Sequence, residues 1–290
     1  MHLTTIENDF ISLAITETGA EIKHLITQKD EAEWMWQADP DFWPRTAPVL
    51  FPIVGRLVDD QYFINGYPYP MSQHGFARDR VFDVVNSRKD HIRYHLGSDY
   101  ESQKFYPFEF DFFISYNLAK NWVWIDYEVI NKGKSDMYFS LGGHPGFALP
   151  GWPQRKYYLE FEEPDILKPY LLDHGLLIKE KSGSISMDEN SIRIHNHLFD
   201  TDALVFDNLR STWVGFRSED DLHNLRLHFE GFPFLGIWSK PGAAFVCLEP
   251  WYGHADFSGQ PNEISRKPSI MHLEPNQNFH CRYAIEVMNY

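Results

Sequence analysis

Four short stretches set an ionisable side chain among glycines or prolines beside an apolar run. They are APVLFPIVGRL with Arg56, SQHGFARD with His74, LGGHPGF with His144, and VCLEPWYG with Glu249. Glycine and proline weaken a strand interior unless a bulge, a bend or a close backbone approach requires them. Each stretch therefore reads as a strand end or bulge that offers its polar group to a pocket. The residue types set the chemistry. A free glutamate titrates near 4.3 and accepts a proton at neutral pH, whereas histidine, near 6.5, can hold one to give. One carboxylate and two imidazoles supply a general base and a general acid for a polar substrate, each worth about 10²–10⁴ in rate when positioned. The pH–rate profile expected of such a set has an acidic limb from the carboxylate and a basic limb from an imidazole. Singly, each residue has a plain structural alternative: a hydrogen-bonded histidine, a rim carboxylate, a salt-bridged arginine. Together they point to proton transfer.

Strands must carry these groups. In WVWIDYEVI, Val123, Ile125, Tyr127 and Val129 fall on one face, with Trp122, Trp124, Asp126 and Glu128 on the other. FEFDFFISYNL, DHIRYHLGS, NLRLHFEGF, AAFVCLEP and HCRYAIEVMNY alternate in the same way, and such aromatic and branched runs form strands. Turn punctuation separates them at Asn65-Gly66, NKGKSD, LPGWP and KSGS. Helical periodicity is scarce; DPDFWP and DYESQKFYP allow single turns. No internal repeat, low-complexity tract or flexible linker interrupts the chain. The reading is all-β, a large antiparallel β-sandwich or barrel in one domain spanning residues 1–290.

Composition limits the partners. Of 290 residues, 43% are hydrophobic and 16% aromatic, enough for a sizeable core. Acidic residues outnumber basic ones by 41 to 26, a formal charge of −15, which repels nucleic acid and anionic membranes. A neutral small molecule suffers no such repulsion. No apolar run approaches the roughly 18 residues of a membrane span, and the start, MHLTTIENDF, lacks a secretory layout. The expected location is cytoplasmic. Cys247 and Cys281, without CxxC spacing, are expected to be reduced, buried thiols. Among 14 histidines, His195 with His197 and His254 with Asp256 offer only pairs, short of the three or four ligands a zinc site needs, so no metal is expected. No GxSxG, P-loop or dinucleotide fingerprint is present. Trp36, Trp43, Trp152 and Trp238 read as core or sheet-edge residues. Trp251, two residues beyond Glu249, shares its face.

SQHGFARD, LGGHPGF and CLEPWYG, in this order and spacing, resemble the aldose 1-epimerase (galactose mutarotase-like) family, and the likeness extends over essentially the whole chain. The resemblance implies a β-supersandwich, no metal or organic cofactor, and interconversion of the α and β anomers of an aldohexose. It implies that Glu249 is the base that removes the anomeric hydroxyl proton. His144 is implied as the acid for the ring oxygen, and His74 as a second histidine beside the reacting centre. Arg56 resembles the arginine that holds a sugar hydroxyl, and Asp202, ahead of Asp207, sits best against the family's substrate-binding aspartate. On this reading Gly142, Gly143 and Gly146 let the backbone crowd the sugar while Pro145 stiffens the turn. HGFAR, with Arg45 ahead of TAPVLFP, also resembles the hexose-6-phosphate epimerase branch, where Arg45 and Arg78 would meet a phosphate. A third reading is a carbohydrate-binding module without turnover; retention of Glu249 with both His74 and His144 argues against it. The central geometric expectation is that Glu249 and His144 share one hollow, a sugar's width apart.

Overall fold

The strands form where alternation is strongest. Phe110–Ala119 and Trp122–Asn131 pair antiparallel over their full length. One face of this pair buries Phe110, Phe112, Ile114, Val123, Ile125 and Val129, as the period of two requires. In this computed structural model, which describes residues 3–259 and 261–288, the pair lies inside a nine-stranded antiparallel sheet. Asn278–Val287 flanks it on one side and His91–Gly97 on the other, and the edges are Ser191–Arg193 and Asp83–Arg88.

A second, eight-stranded sheet supplies the site. Its order runs Leu176–Lys181, Tyr170–Asp173, Leu204–Asp207, Phe234–Trp238, Phe245–Tyr252, Leu141–Gly143, Val49–Leu50, and Gly146–Ala148 also pairs with Phe245–Tyr252. The two sheets enclose one extensive apolar core, to which this second sheet contributes Val246, Leu248 and Ile237. Each large side chain buried there is worth about 1.5–3 kcal/mol. Two core tyrosines keep their hydroxyls bonded: Tyr116 donates to Ala20 O at 2.7 Å and Tyr106 to Tyr138 O at 2.8 Å. Strand Phe245–Tyr252 is buried along nearly its whole length. Its alternate residues Phe245, Cys247 and Trp251 leave the main core and join two smaller clusters on the opposite face. The candidate site lies on that face.

Helix is as scarce as the periodicity predicts. Tyr100–Gln103 is a single turn capped reciprocally by Asp99 and Ser102. DPDFWP makes a reversal in which Trp43 N–H donates to Asp39 O at 2.8 Å. Among the described residues no helix is long and apolar enough to cross a membrane.

Candidate active site

Register brings the first two groups together. Gly142 faces Trp251, and Gly146 faces Cys247, across strand Phe245–Tyr252. Both pairs sum to 393, so the chain leaves and rejoins the ladder without a slip. The break at His144-Pro145 therefore lies opposite Glu249, and Leu248 N–H still donates to Pro145 O at 3.2 Å. Directly opposed residues have side chains in contact. His144 Nε2 is 3.3 Å from Glu249 Oε2, both residues buried. The pair thus shares one hollow but sits in contact, closer than the sugar's width expected of it.

The glycines around His144 make room for protein rather than for ligand. A Cβ at Gly142 would meet Trp251 Cδ1 at 2.6 Å; at Gly143, Tyr283 Oη at 2.7 Å; at Gly146, Trp43 Cζ3 at 2.7 Å. Their smallness lets Trp251 and Trp43 reach the hollow. Trp43 lies over the His144 ring, centroids 4.9 Å apart, and Trp238 meets it edge-on at 5.9 Å.

His74 enters from a turn after strand Tyr67–Pro70, with φ +68°, and is held twice by Gly55. Its N–H donates to Gly55 O at 2.9 Å, and Gly55 N–H donates to its Nδ1 at 3.1 Å. Burial, then the neighbouring His144, Arg78 and Arg45, push its pKa well below the ordinary value. A neutral ring whose Nδ1 accepts must carry its proton on Nε2. That nitrogen lies 3.4 Å from the Gln73 amide, and the His74 ring is 5.6 Å from that of His144.

One cavity of about 270 Å³ is lined by Glu249, His144, His74, Arg78 and Asp202, with Trp43, Trp238 and Trp251 among its walls. Five of the six residues singled out from the sequence meet there. Asp202, with φ +90° and its carboxylate accepting from Ala203 N–H, stands at the exposed rim. Asp207 instead accepts from Tyr170 Oη at 3.0 Å, away from this lining. Arg78 donates from Nη2 to Gln73 O at 2.7 Å, and its buried Nε makes no hydrogen bond and lies 3.8 Å from Asp79 Oδ2. Burial and Arg45 lower its pKa to about 10, so it stays charged at neutral pH. Arg56 is the sixth, and its guanidinium does not line this cavity. Nε and Nη2 both donate to the Asp60 carboxylate at 2.9 Å, and Nη1 donates to His174 O at 3.1 Å. A bidentate carboxylate partner four residues on draws it over the ridge into a neighbouring hollow. Arg45 is also outside the lining, paired with Asp79 at 2.8 Å.

Burial reverses the protonation expected of the pair. It lowers the pKa of His144 to about 3, helped by Arg78 and Arg45. It raises that of Glu249 well above the carboxylate range, and Asp202 adds to this. Trp251 lies where its indole favours the carboxylate, although Nε1 makes no hydrogen bond of ordinary geometry. The two groups hold one proton between them, and the uncharged arrangement puts it on Glu249.

One donor atom from each of His144, Cys247 and Glu249 lies within 4.8 Å of the others, a set of a kind zinc accepts. Burial raises the Cys247 thiol well above its ordinary value and opposes the thiolate such a site needs. The other histidine pairs are occupied differently: His197 meets Asp200 at 2.8 Å, and Asp256, beside His254, is paired with Lys267 at 2.9 Å.

Gln73, Trp43 and Trp238 belong to the lining but were not singled out from the sequence as site residues. Gln73 adjoins His74, which is a usable hint. Trp238 faces Cys247 across the ladder, and only the pairing reveals it.

Two stacked antiparallel sheets with this hollow on the outer face of the second define a galactose mutarotase-like supersandwich. The family model for aldose 1-epimerase matches residues 2–265, and the chain belongs to that family. It is similar to a galactose mutarotase related enzyme from Lactobacillus acidophilus, at 35% identity and TM-score 0.94, covering 99% of this chain and 97% of that one. It is also similar to a galactose mutarotase-like protein from Lactobacillus casei, at 29% identity and TM-score 0.94, covering 99% and 100%. Protein LacX of Lactococcus lactis subsp. lactis is 27% identical over 98% of this chain and 99% of its own length.

Proposed function

We propose that the protein interconverts the α and β anomers of an aldohexose by opening and reclosing the pyranose ring. One observation carries this reading: an imidazole nitrogen and a carboxylate oxygen 3.3 Å apart in a hollow walled by three tryptophans. The anomeric hydroxyl and the ring oxygen are both bonded to C1. An acid and a base serving them must be near neighbours, which contact across a ladder supplies.

Glu249 takes the hydroxyl proton as the C1–O5 bond breaks and C1–O1 becomes a carbonyl, and His144 gives its proton to O5. Rotation about C1–C2 presents the other carbonyl face, and closure returns both protons. The pair starts and ends each turnover with the same single proton. Burial favours that proton on Glu249, while ring opening draws on the arrangement with Glu249 ionised and His144 charged. Mutual attraction at 3.3 Å in a site of low polarity offsets part of that cost. His74, donating from Nε2, with Asp202 and Arg78, holds the ring hydroxyls, and the tryptophans exclude water. Two buried free thiols, Cys247 and Cys281, fit a reducing compartment, so we place the activity in the cytoplasm.

Polarimetry on freshly dissolved α-glucose and α-galactose tests the reading: added protein should speed the approach to the equilibrium rotation. Tight sugar binding with no acceleration across pH 5–8 would instead make the hollow a binding module. A second reading is favoured by the Nε of Arg78, buried and without a hydrogen bond, a donor suited to a sugar phosphate. A phosphate specialist should turn over glucose 6-phosphate with kcat/KM at least about tenfold above glucose.

A further inference from the structure

The hollow holds a donor that the proton transfers leave unused. Trp251 lines the cavity and is only 5% exposed, yet its buried indole Nε1 makes no hydrogen bond. A buried N–H without an acceptor is costly. Two glycines fix where this one lies. Gly142 on Leu141–Gly143 and Gly236 on Phe234–Trp238 flank strand Phe245–Tyr252 from its two sides. A Cβ at Gly142 would meet Trp251 Cδ1 at 2.6 Å. A Cβ at Gly236 would meet Cζ2 at 2.5 Å, Cη2 at 2.6 Å and Cε2 at 3.2 Å. Nε1 is bonded to Cδ1 and Cε2, so the indole lies across its own strand with its N–H edge between the two glycines. Gly236 is the residue directly opposite Glu249 in the ladder, and Glu249, two residues before Trp251, projects from the same face. The N–H edge therefore runs beside the Glu249 side chain.

We propose that Trp251 is a positioning residue of the reaction: its N–H donates to the Glu249 carboxylate once that group is ionised, and holds it ready for the anomeric proton. An ionised carboxylate accepts a hydrogen bond about twice as strongly as a neutral group. The donor is thus idle in the resting, uncharged pair and engaged when the proton has moved to His144. A bond gained on the way to the transition state, and absent from the ground state, raises turnover rather than binding. Gly142 and Gly236 serve the same end, because a side chain at either would push the indole out of line. The other ionisable groups about Glu249 are His144 at 3.3 Å, Cys247 and Asp202, with His74 and Arg78 farther round the lining. This role for Trp251 rests on the anomer-interconverting reading of the hollow.

The test places benzothienylalanine at position 251, which puts sulfur where the indole has its N–H and keeps the bicyclic shape. Mutarotation of α-glucose should then show kcat lower by about tenfold, the worth of one charge-assisted hydrogen bond, with KM within about twofold. The N–H favours the ionised carboxyl, so its loss raises the Glu249 pKa. The basic limb of the pH–rate profile should move to higher pH by about one pH unit. Trp251→Phe should do the same. Gly236→Ala should slow the native protein by a similar factor but add little in the Trp251→Phe background, where the shorter ring no longer crosses that glycine. Nuclear magnetic resonance of glutamate labelled with carbon-13 at the carboxyl reads the rise in the Glu249 titration without any turnover. A benzothienyl protein with kcat within twofold of native, or with a lower kcat but an unmoved limb and carboxyl titration, would overturn the role. A native protein that does not accelerate mutarotation would remove the reading beneath it instead, and the carboxyl titration would then decide the Trp251 bond alone.

Discussion

Lys267→Met should unfold the wall of the candidate site more readily than any surface change. Lys267 Nζ donates to Asp256 Oδ1 at 2.9 Å and to His254 O at 2.7 Å, with both side chains almost wholly buried. Asp256 ties three lining segments together. Its Oδ2 accepts from Val58 N–H at 3.1 Å, its N–H donates to Arg56 O at 2.8 Å, and its O accepts from Leu177 N–H at 2.8 Å. Removing the lysine leaves a buried carboxylate without its counter-ion, a loss of about 3–5 kcal/mol. For a chain of this size that lowers Tm by roughly 5–8 °C. Lys267→Met with Asp256→Leu removes both charges together and loses the Val58 bond and the Lys267 bond to His254 O, about 1–3 kcal/mol each, and should recover part of the deficit. Thermal unfolding followed by circular dichroism reads both variants against the native protein. Equal Tm values for the single and double variants would refute the reasoning.

Proton linkage gives two further outcomes. His74, His144, His223 and His254 are all held below their ordinary values chiefly by burial, the last two to about 4. Their contribution is therefore complete above the unfolded value near 6.5 and is lost as pH falls, at about 1.4 kcal/mol per pH unit for each. Glu249 titrates in the opposite sense. A Tm that drops steeply between pH 6.5 and 4.5 is expected, and a constant one would contradict these burials. In kinetics, the Glu249–His144 pair should keep its single proton across the neutral range, with an acidic limb belonging to His144 near 3 and a basic limb belonging to Glu249. A limb near 6.5 would show a histidine titrating freely. Gly146→Ala should displace Trp43 from His144 and lower kcat/KM by about tenfold, whereas unchanged kinetics with a shifted Trp43 would deny the stack a role.

Much of the fold was legible because the strands alternate. The buried and outward faces of WVWIDYEVI fall as the period of two dictates, and the single capped turn at Tyr100 was visible in DYESQKFYP. Part of the site was legible as well, since glycine and proline flag the places where the ladders break around His144 and His74. Distances were not. Nothing in the chain ties residue 144 to residue 249 until the register of Phe245–Tyr252 is known, so a direct contact was mistaken for a sugar's width. The glycines of LGGHPGF announced close approach but not what approaches, which is Trp251, Tyr283 and Trp43. Arg56 could not be placed because its choice between the cavity and Asp60 depends on a local turn. Burial likewise reverses the protonation that free glutamate and histidine would adopt, and depth within a fold is not written in side-chain type.

The most direct test of the central claim measures turnover and binding separately in Glu249→Gln and His144→Asn. Glu249→Gln keeps the shape of the side chain, His144→Asn puts a smaller planar amide in place of the ring, and both remove the proton chemistry. If the pair moves the protons, kcat for anomer interconversion should fall by about 10²–10⁴ in each, with Kd for the sugar changed by no more than a few-fold and Tm preserved. A variant that keeps kcat within tenfold of the native protein, or that loses binding in the same proportion as turnover, would contradict the account.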